Sequence, residues 1–403
     1  MNRTMRCILL AVGFSLAGVQ FCGAEVFKFK YVEGTKYKIL SQVRESVFVN
    51  NQYDHTADIL NKISVAIVKT KGDSGQLSAQ FITSERAYGT QRVYDWSEQY
   101  DSLFWRDSHG VFTIDPSYFA PTVRDVPQFP DRDVAVGDTW SLPGEEVHDF
   151  RPAFHLSEPL RFPVTVSYTY LGKATVDGKQ YDHIAINYPI FYKITEYRGY
   201  PQMHPIRVGG YSHQQLYWDN KAGQPYSYSE EFDMIFDFST GDTVEYSGTA
   251  HAQLIESTPM DRQKVAEDIR KQLSDSGVKN TEVKPVDNGV TISLQRIQFQ
   301  PDSAVLLPSE KVKLDEIAKI LRKYPDRDIL ITGHTALAGT EAGREKLSLD
   351  RAQAVGNYLL SLNVRRESQI TVKGVGATEP IADNSTEAGR EKNRRVEITI
   401  LEN

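Results

Sequence analysis

Between residues 160 and 240 the sequence alternates. Phe162, Val164, Val166, Tyr168 and Tyr170 are separated by Pro163, Thr165, Ser167 and Thr169. Ile184, Ile186, Tyr188, Ile190, Tyr192 and Ile194 repeat the pattern, as do Phe232, Met234, Phe236 and Phe238. A period of two sends one side of an extended chain into a core and the other toward water, which a helix cannot do. Turn signals at Lys71-Gly72-Asp73, Asp177-Gly178, Asn220 to Gly223 and Ser239 to Asp242 divide the strands. Residues 25–257 therefore predict roughly nine or ten strands and no helix, an all-β antiparallel sandwich or barrel-like domain. Residues 116–163 hold 8 of the 18 prolines and predict an irregular crossover.

Composition narrows the function classes. A chain of 403 residues is too long for one ordinary core and predicts a multidomain protein. Its 18 Phe, 21 Tyr and 4 Trp give ample surface to bury, so chain-wide disorder is excluded. The formal charge of −7 argues against a nucleic-acid partner. A membrane barrel needs outward faces of consecutive apolar positions. Tyr37, Ile39, Ser41, Val43 and Glu45 break such a face twice, and Leu77, Ala79 and Phe81 run into Thr83 and Glu85. The later strands would meet the requirement. A water-facing body is the favoured reading, with an outer-membrane β-barrel as the alternative.

The N-terminus reads as an export signal. Arg3 and Arg6 precede an apolar stretch from Ile8 to Val19, too short to span a bilayer. Cys22-Gly23-Ala24 offers small residues for cleavage before Glu25. Lipidation of Cys22 is the lesser route, because Phe21 is bulky where such signals carry a small residue. Removing residues 1–24 takes away both cysteines, Arg3 and Arg6, and moves the charge from −7 to −9. The expected location is the periplasm or an outer-membrane-associated envelope.

No catalytic pattern stands out. The histidines at 55, 109, 148, 155, 183, 204, 213 and 251 lack His-Glu-x-x-His or another helical metal spacing. Neither a Gly-x-Ser-x-Gly elbow nor a phosphate-cradling loop occurs. Aromatic residues between Tyr88 and Phe119 can stack on sugar rings, and a β core explains them equally well. The expectation is a non-enzyme without cofactor or metal.

From Asp261 the period changes. Val265, Ile269 and Leu273 mark a helix in a linker at 258–280, with Gly277 placed at its C-terminus. A hairpin through Asp287-Asn288-Gly289 follows, then a helix from about Ser309 to Tyr324 and a strand at Ile329–Ile331. A helix from about Glu341 to Leu362 and strands near Ile370–Lys373 and Val396–Leu401 complete an α/β sandwich over 281–403. That region carries 18 basic and 18 acidic residues, so the acidity lies upstream. The heptapeptide Thr340-Glu-Ala-Gly-Arg-Glu-Lys346 recurs at 386–392, and both copies can start a helix with Thr as N-cap.

Four segments of this region carry a resemblance. They are Phe299-Gln-Pro-Asp-Ser-Ala304, Ile331-Thr-Gly-His-Thr335, Leu347-Ser-Leu-Asp-Arg-Ala352, and the run from Asn384 to Glu397. Over roughly residues 289–403 the chain resembles the OmpA C-terminal, Pal-type peptidoglycan-associating family. The resemblance implies a βαβαβ periplasmic domain that holds the stem peptide of peptidoglycan without covalent chemistry. It also implies Thr335, Ala336, Arg351, Asn384, Arg390 and Asn393 as the binding positions. In the family an aspartate after Gly-His-Thr grips the amine of the peptide's diamino acid, and an arginine 15 residues on grips a carboxylate. Arg351 holds the second position. It has no acidic neighbour at i±3, so a ligand carboxylate or a tertiary partner such as Glu341 or Glu387 must neutralise it. Ala336 stands where the aspartate belongs. Loss of a charge-assisted bond costs about 1.5–3 kcal/mol. Three outcomes follow: weakened wall binding, a wall with another diamino acid, or a domain turned to an envelope-protein partner.

Overall fold

The computed structural model describes residues 24–118, 123–151, 156–195, 203–256, 259–295, 297–300 and 303–402. Of the expected export segment only Ala24 falls within these, and Cys22 lies outside the described residues. The protein is mostly β, with seventeen strands joined in one hydrogen-bonded sheet and few helices.

The first twelve strands are β1 (Lys36–Val49), β2 (Gln52–Lys71), β3 (Ser74–Ala87), β4 (Tyr94–Arg106), β5 (Phe112–Ile114), β6 (Val123–Arg124), β7 (Thr139–His148), β8 (Leu160–Val176), β9 (Lys179–Lys193), β10 (Pro205–Asp219), β11 (Gln224–Phe238) and β12 (Thr243–Glu256). The count exceeds the nine or ten expected because β5 and β6 are three and two residues long, too short to show a period. All twelve pair antiparallel in the spatial order 5-4-3-2-1-12-11-10-9-8-7-6. The two ends of this sheet approach each other. Phe112 N donates to Asp125 Oδ1 at 2.7 Å, and Tyr100 Oη donates to Asp149 Oδ2 at 3.3 Å. A sheet of long twisted strands thus curls around its own interior.

Side-chain direction follows the alternation. On β8, Phe162, Val164, Val166, Tyr168 and Tyr170 are buried, while Pro163, Thr165 and Ser167 are exposed. Against that inner face lies the segment before β1. Phe29 and Phe129 both meet Trp218 edge-on at 4.8 and 4.7 Å, and Phe27 meets Tyr170 at 5.1 Å. Each buried ring of this kind removes a large apolar area from water.

The C-terminal part contains α1 (Arg262–Asp275), β13 (Thr281–Val286), β14 (Gly289–Gln295), α2 (Pro308–Leu321), β15 (Ile329–Gly333), α3 (Glu341–Ser361), β16 (Ile370–Gly374), α4 (Glu387–Asn393) and β17 (Arg395–Leu401). Its strands run in the order 13-14-17-15-16, with β15 and β16 parallel and the other pairs antiparallel. Ile292, Ile329, Ile331, Val372 and Ile398 of the sheet pack with Leu314, Ile317, Val355 and Leu359 of the helices. Helix α1 adds Ala266, Ile269 and Leu273 to this core. Its first turn is capped by Asp261, whose Oδ1 accepts from Lys264 N at 3.1 Å, and Gly277 follows at φ +69°. Both copies of the heptapeptide begin helices: Thr340 accepts from Gly343 N and Thr386 from Gly389 N.

The start of β4 lies along the outer edge of β16, with Tyr94 opposite Thr371 and Asp95 opposite Val372 in parallel. Val93 enters the C-terminal core. Lys62 pairs with Asp328 at 3.0 Å, and Arg86 bridges Asp58 at 2.9 Å and Glu367 at 2.6 Å.

Candidate functional site

The site is built where β15 ends and α3 passes over it. Gly333 allows that passage, since a Cβ there would stand 2.0 Å from Ser348 O. Gly374 is also tight, with Leu349 N 2.6 Å from a built Cβ. Fully buried Ser348 ties three segments together. Its Oγ donates to Glu345 O at 2.7 Å and accepts from Gly376 N at 2.9 Å, while Thr335 N donates to Gly376 O at 2.8 Å. A helix, the turn after β16 and the loop after β15 are thereby held in one arrangement.

The loop after β15 is in turn tied to the segment before α4. Asn384 Oδ1 accepts from Leu337 N at 3.1 Å and from Asn393 Nδ2 at 3.0 Å. Asn393 is fully buried. Its Oδ1 accepts from Ile381 N and Ala382 N at 2.9 and 3.0 Å, and its Nδ2 also donates to Ala382 O at 2.8 Å. All its hydrogen-bonding capacity is used inside the protein. Arg390 donates to Asn384 O and Ser385 O at 3.0 and 3.2 Å and pairs with Glu387 at 2.7 Å.

Thus the structure links Thr335, Ala336, Asn384, Arg390 and Asn393 through one loop network. Ala336 is buried at 6% exposure. Beside it, Thr335 is as deeply buried, and its Oγ1 has no hydrogen-bond partner among the described residues. A hydroxyl left so is costly unless something else satisfies it. Arg351 sits one turn beyond Ser348 on α3, with its guanidinium 5.0 Å over the ring of Phe299. Of the acidic residues expected as tertiary partners, Glu387 is engaged by Arg390 and by Arg394 at 2.6 Å.

Beneath the loop lies a charge cluster whose members belong to the motif segments but were not expected among the binding positions. Arg395, buried at 3% exposure, donates to Glu397 Oε1 at 2.6 Å and to Glu379 O at 3.1 Å. His334 Nε2 stands 3.7 Å from Glu397 Oε2. Burial pushes the Glu397 carboxyl up, but His334 and Arg395 beside it hold it down at about 2. His334 belongs to the Gly-His-Thr segment and Arg395 to the run after Asn384, so the motifs themselves were the available signal.

Fold and site together define a module of a known class: residues 298–394 match the OmpA family model, and this C-terminal region is an OmpA-family domain. Among curated proteins, the chain is 37% identical to outer membrane porin F of Pseudomonas fluorescens, over 29% of this chain and 35% of that protein. It is 40% identical to the peptidoglycan-binding protein ArfA of Mycobacterium tuberculosis, over 26% of this chain and 32% of that one. A solved outer membrane protein of Borrelia burgdorferi is 42% identical over 30% of this chain and 96% of its own, with a TM-score of 0.26. The chain spans about a third of the length of the curated relatives named.

Proposed function

We propose that this is an exported cell-envelope protein whose C-terminal domain associates non-covalently with the stem peptide of peptidoglycan. The carrying observation is the OmpA-family match over residues 298–394, five of whose six expected binding positions lie in one loop network around a buried Thr335 hydroxyl that has no hydrogen-bond partner among the described residues. The identity to a protein named for peptidoglycan binding supports the same ligand. Arg351 takes the ligand carboxylate, a bidentate role suited to guanidinium. Ala336 supplies no charge for an amine, so the grip is weaker than the family's or suits another diamino acid. Arg390 and Asn393 shape the loop from behind. The domain is not an enzyme in this reading and needs no cofactor.

The organisation proposed is a signal at 1–24, a β body at 25–257, a helical segment at 258–280 packed on the C-terminal core, and an OmpA-like α/β sandwich at 281–403. For the body we favour a water-facing curled sheet over an outer-membrane barrel. The inner face carries the large apolar side chains together with a few hydrogen-bonded polar ones such as Ser212 and Gln214. Outer positions such as Thr165, Ser167, His213 and Gln215 are polar, unlike the outward face of a lipid-facing barrel. Co-sedimentation of the protein with purified wall sacculi tests the function. Binding above an albumin control, reduced by Arg351→Ala, is the expected result, and its absence would remove the proposal.

A further inference from the structure

The outer face of the curled sheet carries a groove of about 660 Å³, bounded by Tyr94 where the body meets the C-terminal domain. Two rows of side chains form its floor. In the first, His213, Glu231, Thr249, Arg44, Asp58 and Arg86 stand side by side across six strands. Arg44 and Arg86 both bond Asp58 at 2.9 Å, and Arg86 also pairs with Glu367 at 2.6 Å. Glu231 stands further along the row, so the groove carries no large surplus of either sign. The second row, Gln215, Ser229, His251 and Gln42, is uncharged.

Elsewhere on this face some neighbouring polar side chains satisfy one another: Ser46 with Thr56 at 2.9 Å, Ser141 with Ser167 at 3.2 Å, Gln80 with Asp101 at 3.0 Å. At the two ends of the groove the same holds, Gln215 Oε1 pairing with His183 Nε2 at 2.7 Å and Asp58 with the two arginines, but four side chains between them stand open. Among the described residues, no hydrogen bond within the protein uses the side chains of Gln42, Ser229, Thr249 or His251. Stacked rings flank the floor. Tyr211 lies on His213 at 4.6 Å and Tyr217 on His183 at 4.8 Å, while the exposed Tyr88 lies under Arg44 at 4.1 Å at the other end.

Planar amides, hydroxyls and imidazoles with open hydrogen-bonding capacity, between aromatic faces and without surplus positive charge, match a neutral polyhydroxylated chain. A polyanion or an apolar segment would find no complement here. Three strand spacings from β10 to β1 give ~14 Å, room for more than one sugar ring. We infer that this groove binds a glycan, and that the glycan is the sugar strand of peptidoglycan. The source follows from continuity. Gln353 of α3, two residues beyond Arg351, donates to Asp95 at 2.9 Å, and Asp95 adjoins the groove residue Tyr94. This choice of source rests on the peptidoglycan reading above, which concerns the stem peptide.

The test uses the chain from Glu25 onward with two probes, wall glycan strands stripped of peptide by an amidase and a soluble stem peptide. Both should bind. The double variant Gln42→Ala with His251→Ala should weaken glycan binding about tenfold, from two lost hydrogen bonds, and leave stem-peptide binding unchanged. Thr249→Lys, which fills the groove while removing no contact, should also block the glycan. Stem peptide bound without glycan, glycan bound equally by both variants, or dextran bound as tightly as wall glycan would each overturn the inference. Glycan bound without stem peptide would uphold the groove and remove the Arg351 reading, and binding of neither probe would remove both.

Discussion

At the scale of single residues, the site separates side chains that face a ligand from those that hold the frame. Asn393 belongs to the frame, because all its hydrogen bonds end on residues 381, 382 and 384. Replacing it by alanine leaves two part-buried amides and a carbonyl without their partner, and should cost about 2–4 kcal/mol in urea unfolding. Ala336→Asp should tighten binding of a soluble stem peptide carrying a free amine, by about tenfold or more in titration calorimetry. Unchanged affinity would show that the pocket no longer admits the amine. A third residue acts through pH. Burial pushes the Glu45 carboxyl from its ordinary 4.5 to about 7, with Glu85 adding to the rise and His55 and His148 opposing it. An acid whose folded pKa is raised stabilises the fold below its unfolded pKa and loses that contribution as pH rises through the folded value. The β body should therefore weaken between about pH 4.5 and 7. Glu45→Gln should flatten that slope and raise the melting temperature at pH 8. Motif residues of the site were legible because they recur as short strings. Glu45 was not, because its environment comes from strands distant in the sequence.

Among elements, those with a long period and a clear stop could be read directly. The helix expected from Asp261 is α1, and the one expected from Glu341 is α3. What periodicity does not convey is the partner of an apolar stripe. Read as a joint between domains, α1 instead buries Ala266, Ile269 and Leu273 in the C-terminal core. A fragment of residues 259–403 should thus be more stable than one of 281–403 by at least about 3 kcal/mol, since burying an Ile and a Leu each contributes about 1.5–3. Equal denaturation midpoints would mean the helix is only docked. The repeated heptapeptide has a local explanation, as Thr340 and Thr386 each cap a first turn. Thr340→Ala should lower stability by about 1 kcal/mol.

For the whole molecule, the sequence conveyed an apolar face on the later strands but not which way the sheet curls. Direction depends on contacts between its ends, such as Phe112 with Asp125, and on the Phe27–Phe29 segment filling the interior. With the apolar face inside, alkaline carbonate should release the protein from membranes. Retention in the pellet would favour the barrel.

The strand order also has a consequence in time. Strand β1 lies inside the row of twelve, pairing with β2 on one side and β12 on the other, and Asn50 reaches Asp242 across 192 residues of chain. A ribosome or a secretion channel delivers β1 first, yet its second neighbour arrives last of the twelve. Until then a long strand presents an open edge to every other copy nearby. Production of this protein should be limited by how long that edge is shielded rather than by the final stability, and truncation before residue 243 should yield aggregates instead of a smaller sheet.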